Sequence, residues 1–255
     1  MLHRPNRAIR APFPHPSRRT VLASALGLGA LALAGCGGGT DNEEANVRFA
    51  NATVDYATAD FWVDSSKVVS ALANGGNASG WVALDADDHQ VALHATGSST
   101  AKLAETRSFA KDSYTTVLAY GSLASSIKFR YLAEANAAPD SGVKLRVLHA
   151  SPSLGALDIY VTNASSLSGL APTVTVAAYD SLTDFVALAA DSYRVRITAA
   201  GDQGTVLYDL PSKVSMDSKL VITLVIAPRT SGSLPNILAL PEQNGAVLLP
   251  NSLAS

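Results

Sequence analysis

The residue best equipped for covalent chemistry is Cys36, the only cysteine in a chain of 255 residues. It closes the run Leu33-Ala34-Gly35-Cys36, a small-residue cleavage site placed directly before a thiol. That arrangement resembles the lipobox of bacterial lipoproteins, where the sulfur takes a diacylglyceryl group before the peptide is cut. Ahead of it, residues 1–36 hold five arginines and no acidic residue, followed by an apolar run over residues 21–34. A span of that length falls short of the about 20 apolar residues that cross a bilayer. It reads as a signal peptide with a basic leading segment. Arg18 and Arg19, just before the apolar run in Ser17-Arg18-Arg19-Thr20-Val21-Leu22, resemble a twin-arginine export signal, with an ordinary Sec signal as the alternative. Gly follows the cysteine, where Asp would signal inner-membrane retention. The expected location is therefore the outer membrane, through a lipid anchor at Cys36.

The remaining candidates for chemistry are sparse. Three histidines lie beyond the leader, His89, His94 and His149. His89 and His94 stand five apart, which on one strand points them to opposite faces, so they form no metal site by themselves. Asp85-Ala86-Asp87-Asp88 offers carboxylates but neither the spacing nor the glycine of a calcium loop. Ser108-Phe109-Ala110-Lys111 and Ser125-Ser126-Ile127-Lys128 match S-x-x-K, yet both lie in strand-like or loop sequence, whereas that chemistry needs a helical turn between serine and lysine. No catalytic residues, metal or cofactor are expected, and the chain reads as a non-enzyme.

One polar constellation occurs twice. With Phe61 and Val63 facing a core, Asp60 and Trp62 face outward, and likewise Asp158 and Tyr160 beside Ile159 and Val161. By the same parity Arg48 and Arg146 point outward from the first strand of each copy. An arginine, an aspartate and an aromatic ring sharing one sheet face would bind a glycan, by stacking and hydrogen bonds. The alternative is a cross-strand ion pair that stabilises the sheet.

Short runs rich in Val, Ile, Leu, Thr and aromatics, separated by Gly, Asn, Asp, Ser and Pro, must position these residues. They cover residues 46–50, 59–63, 90–94, 114–120, 145–149, 157–161, 193–198 and 219–226. Such alternation predicts an all-β sandwich or barrel. Residues 65–73 read as either a short helix or a loop.

Self-comparison gives the organisation. Residues 47–53 lie over 145–151, and 59–63 over 157–161, at an offset of 98. Residues 79–97 lie over 183–201 at an offset of 104, with 8 identities in 19 positions. Asp112-Ser113 then lies over Asp217-Ser218 at an offset of 105. The expected organisation is a leader over residues 1–35, a lipidated cysteine and Gly-rich tether over 36–45, and two homologous units over 46–138 and 143–250. Each is the size of an immunoglobulin-like sandwich. Ala190-Asp191-Ser192-Tyr193-Arg194-Val195 has the look of that fold's tyrosine corner. The leader carries five of the 19 basic residues and none of the 21 acidic ones, so the chain from Cys36 onward has a net charge of −7. That charge argues against nucleic acid as a partner.

Leu145-Arg146-Val147-Leu148-His149-Ala150-Ser151-Pro152, then Leu157-Asp158-Ile159-Tyr160-Val161, resembles a bacterial family catalogued as domain of unknown function 4397. Ala189-Ala190-Asp191-Ser192-Tyr193-Arg194-Val195 resembles its later turn and strand. The first unit departs from the pattern: Asn51 stands at the position of His149, Val54 at that of the proline, and His89 at that of Tyr193. The resemblance implies exported, repeated β-sandwich modules and supplies no catalytic residues. The expected role is an envelope lipoprotein presenting two modules for binding or adhesion to a glycan or envelope protein. The alternative is a structural spacer or accessory subunit of an envelope assembly.

Overall fold

A computed structural model describes residues 43–134, 136–242 and 244–254, together with the pair Ala8–Ile9. Arg18, Arg19 and Cys36 lie outside the described residues. In chain order the strands are β1 (Ala8–Ile9), β2 (Glu44–Thr53), β3 (Thr58–Val63), β4 (Ser66–Ala73), β5 (Val82–Asp85), β6 (Asp88–Ala95), β7 (Ala101–Ser108), β8 (Tyr114–Ser122) and β9 (Ser126–Ala133). There follow β10 (Val143–His149), β11 (Leu157–Thr162), β12 (Val174–Val176), β13 (Val186–Leu188), β14 (Asp191–Ala199), β15 (Asp202–Asp209), β16 (Val214–Met216), β17 (Leu220–Ala227), β18 (Asn236–Pro241) and β19 (Val247–Leu249). The described residues contain no helix.

The first unit is a sandwich of two sheets, ordered β5-β2-β8-β9 and β4-β3-β6-β7. The second repeats the order as β13-β10-β17-β18 and β12-β11-β14-β15, adding β19 beyond β18 and β16 beside β14. In both units the opening strand runs parallel to a late one, β2 to β8 and β10 to β17, and every other pairing within the units is antiparallel. Two immunoglobulin-like sandwiches in tandem account for the described chain.

Each unit has its own core. Ala45, Val47, Phe49, Phe61, Val63, Leu93, Val117 and Phe129 fill the first, and Leu145, Val147, Ile159, Val161, Val195, Ile197, Ile222 and Leu224 belong to the second. Phe61, Val63, Ile159 and Val161 therefore face inward, as period-2 alternation requires. Ala45 is fully buried and Glu44 opens β2, so the tether expected to run through residue 45 ends earlier. Residues 66–73 form strand β4 rather than a helix or loop. Asp64 and Ser65 take positive φ in the tight turn that folds β4 back on β3, and Ala71 (φ 50°) marks an irregular register. That irregularity breaks the alternation that would identify a strand.

A third apolar cluster joins the units. Ala50, Ala52, Leu118, Tyr120 and Leu132 from one inner sheet pack against Leu148, Ala150, Val225, Ala227, Leu238 and Leu240 from the other. Sheet β5-β2-β8-β9 is thus covered on both faces, as is sheet β13-β10-β17-β18. The molecule is a stack of four sheets with the two inner ones back to back. Strands buried on both faces need apolar residues at every position, and β17 (LVITLVIA) is buried along its whole length.

Candidate functional site

Both arginines of the repeated constellation point away from their own core and into the seam between the units. Arg48 is 1% exposed. Its Nε donates to Thr116 Oγ1 (2.8 Å) on the adjoining strand β8, and its Nη2 reaches Glu134 Oε1 at 2.5 Å. The same guanidinium crosses to the second unit, donating to the carbonyls of Pro241 (3.0 Å) and Asn244. Arg146 repeats the pattern with the units exchanged. Its Nε donates to Thr223 Oγ1 (2.9 Å) on β17, and its Nη2 to the Ala133 carbonyl of the first unit (3.3 Å). Each guanidinium lies over a ring at equivalent positions, Arg48 over Trp81 (4.9 Å) and Arg146 over Phe185 (4.6 Å). Glu242 follows β18 directly, as Glu134 follows the corresponding strand β9 of the first unit. Burial pushes its carboxyl up, against donation from Asn136 and the field of Arg146.

Asp60 and Asp158 lie on the outer sheets, across the core from the arginines. The expected face shared by arginine, aspartate and aromatic ring does not exist. Parity gave the direction of each side chain, but β2 and β3 belong to different sheets of the sandwich. Asp60 is 1% exposed because two hairpins fold over it. It accepts the N–H groups of Ala71 (2.8 Å) and Gly97 (3.2 Å) and pairs with Lys67 (2.7 Å). Burial pushes its carboxyl up, but the Lys67 ammonium and these backbone donors outweigh that and hold it below the ordinary range. Asp158 likewise accepts the Gly201 N–H (2.8 Å) and the Thr175 hydroxyl (2.7 Å). Gly97 and Gly201 have φ of +80° and +75° at the tips of equivalent hairpins, so each aspartate fastens a turn that favours glycine.

The histidines have structural partners. His149 is fully buried; its Nε2–H donates to the Gly155 carbonyl (2.9 Å) and its Nδ1 accepts the Ser151 N–H (3.4 Å). Burial holds its pKa below the ordinary value, which suits the neutral ring. Asn51 performs the same task in the first unit. Its Nδ2 donates to the Tyr56 carbonyl (3.1 Å) and its Oδ1 accepts the Thr53 N–H (3.0 Å). Tyr193 forms the tyrosine corner, its hydroxyl donating to the Ala189 carbonyl (2.9 Å). At the matching position His89 Nε2 meets the Asp85 carbonyl (2.9 Å), while Nδ1 meets Asp64. The two copies have exchanged residue types while keeping the bonds.

Among the expected ligand-binding residues, Trp62 retains a partly open surface. Its ring stacks on His94 at 4.9 Å, and Lys67 Nζ lies 5.7 Å from the ring centre. It lines a groove of about 240 Å³ on the outer sheet with Ser65, Gln90, His94 and Ser99. Its indole N–H has no acceptor among the described residues. Tyr160, its counterpart, is buried, and Gln203 donates to its hydroxyl at 3.3 Å. A second groove, of about 400 Å³, lies over strands β14 and β15, which correspond to β6 and β7. A third cavity, of about 430 Å³, opens between the units among Ser122, Ser125, Ser151, Pro152 and Arg229. Sequence reasoning missed all three, because each depends on which loops close over a sheet. Among the described residues no group of three His, Cys, Asp or Glu side chains is placed to hold a metal ion.

The repeated strand order and the repeated Arg–Thr, Asp–Gly and corner contacts agree with a family match. The model described as domain of unknown function (DUF4397) matches residues 45–160 and again residues 143–247. The chain belongs to this family. In its two DUF4397 copies the opening Arg, His or Asn, and Asp are therefore residues of the framework. No curated protein matches the chain. Two solved structures from streptococcal virulence factors align with it over much of its length at low similarity. "Alpha-glucan recognition by family 41 carbohydrate-binding modules from streptococcal virulence factors" aligns at 10% identity over 74% of this chain and 95% of that one, with a TM-score of 0.25. "Alpha-glucan binding by a streptococcal virulence factor" aligns at 9% identity over 71% and 93%, with a TM-score of 0.23. Scores this low carry no argument about the DUF4397 modules here.

Proposed function

We propose that this chain is a non-enzymatic lipoprotein of the cell envelope that binds a glycan through the outer face of its first module. The observation that carries the reading is Trp62, a partly exposed ring set in a groove with polar neighbours Ser65, Gln90, His94 and Ser99. An aromatic platform beside hydrogen-bonding side chains is the usual construction of a small polar-ligand site. The envelope location rests on the basic leader, its short apolar run and Cys36. Replacing Cys36 with Ser should release the chain from the membrane fraction. Glycan-array screening followed by calorimetry tests the binding. Trp62→Ala should weaken the best neutral glycan at least tenfold, and Trp62→Phe much less. An array without hits, or unchanged binding in Trp62→Ala, refutes the reading.

A spacer or accessory subunit is the second reading, favoured by the continuous apolar seam that makes the two modules one stiff body. In that case crosslinking in intact cells captures an envelope protein, and the Trp62→Ala variant is captured equally well.

A further inference from the structure

The groove on the outer face of the second module differs in charge from its counterpart in the first. Arg194 and Arg196 stand where Gln90 and Ala92 stand, and with Gln203, Val206, Asp209 and Ser168 they line its about 400 Å³. Arg194 and Asp209 satisfy each other through two contacts, at 2.8 and 2.5 Å. Arg196 is 5% exposed, and no carboxylate pairs with it among the described residues. Its Nη1 and Nη2 donate to the carbonyls of Ser165 (3.1 Å) and Ala164 (2.8 Å), while its Nε has no acceptor. Burying a guanidinium without an anion is costly, and the cost is recovered when an oxyanion arrives with matching geometry. Burial and the neighbouring Arg194 pull this guanidinium below its ordinary pKa, and the field of Asp209 offsets them only in part.

We propose that this groove binds a ligand bearing an oxyanion (carboxylate, sulfate or phosphate), with Arg196 as its charge partner and Gln203 and Ser168 as neutral hydrogen-bonding groups. Nη1 and Nη2 each spend one hydrogen on a carbonyl and keep a second N–H for an oxyanion, whereas Nε is closed off from solvent. Gln203 spends its amide N–H groups on the Tyr160 hydroxyl and the Leu170 carbonyl, which leaves its Oε1 to accept from a ligand hydroxyl and not from the oxyanion. The two modules then differ in specificity, the first groove neutral and the second selective for acid. The inference is independent of the Trp62 site.

The test is isothermal titration calorimetry on the full chain in detergent micelles, with digalacturonate, the neutral disaccharide galactobiose, inorganic sulfate and inorganic phosphate as probes. At least one charged probe should bind at least tenfold tighter than galactobiose and weaken as salt is added. Its affinity should fall at least tenfold in Arg196→Met and stay unchanged in Trp62→Ala. Digalacturonate outperforming the inorganic ions would assign the sugar ring a share of the binding, and parity would assign it to the oxyanion alone. Ser168 is exposed on the rim, so Ser168→Trp blocks the groove without touching the arginine and decides the matter should Arg196→Met not fold. Equal affinity for galactobiose, no binding of any charged probe, or undiminished binding in the blocked variant overturns the proposal.

Discussion

Replacing Arg48 with Met tests the buried polar cluster at the seam between modules. The substitution removes a guanidinium that holds Thr116 and Glu134 of its own module and two carbonyls of the other. Glu134 is 3% exposed and would lose its Arg48 partner in a space shut off from water. Breaking a buried pair from one side costs about 3–5 kcal/mol. A domain is commonly stable by about 5–15 kcal/mol, so the variant should sit near the edge of folding at 25 °C. Urea denaturation followed by tryptophan fluorescence is a direct assay, since Trp81 lies under Arg48. Arg48→Met should lower the midpoint sharply. The double variant Arg48→Met, Glu134→Leu removes both charges and should recover much of the loss. Arg146→Met is the internal comparison: Arg146 is only partly buried and has no ion pair within 4.0 Å among the described residues, so about 1 kcal/mol is expected. A loss under about 1 kcal/mol for Arg48→Met, or a double variant as unstable as the single one, would refute the reasoning.

Two further predictions concern the framework. The pKa of His149 is depressed in the fold, so the unfolded chain takes up a proton first as pH falls through the ordinary histidine range. The stability tied to this neutral ring is present above that range and is lost as pH drops below it. His149→Asn, imitating Asn51, should fold and flatten the decline in melting temperature between pH 7 and pH 5 (about the window set by an ordinary histidine pKa), whereas His149→Leu should melt lower at every pH; an unaltered slope in the Asn variant would count against the assignment. Tyr193→Phe should cost about 1 kcal/mol through loss of the bond to Ala189, measured by urea unfolding, and an unchanged midpoint would show that the corner contributes nothing.

Much of this architecture can be read from the residues because sandwiches announce themselves by alternation and duplication by offset. Phe61, Val63, Ile159 and Val161 face inward as alternation requires; three of the four aligned blocks fall on matching strands, and the fourth falls on the matching turns before β8 and β17. The strands that escaped notice, such as β7 and β15, carry polar residues on exposed edges and alternate weakly. What covers an outward face is a different matter. Alternation sends Arg48 away from its core, but only the tertiary structure shows a second sheet waiting there. A signal was present: Leu220 to Ala227 carries apolar side chains at seven of eight positions with Thr223 as the exception, which a sheet with one wet face would not need. Alternation alone makes Asp60 and Asp158 look free for a ligand, because the hairpins they fasten, at Gly97 and Gly201, lie some forty residues away in sequence.

Back-to-back packing of the inner sheets sends the two outer grooves to opposite sides of the molecule. A single stiff polymer lying along one face meets one groove and never the other, so the duplication confers no avidity on such a ligand; the effective concentration of the second site toward it is near zero. On the proposed reading, two separate strands, one on each side, would be held at once. Were both grooves to bind, the molecule would act as a rivet between layers rather than as a clamp on one of them.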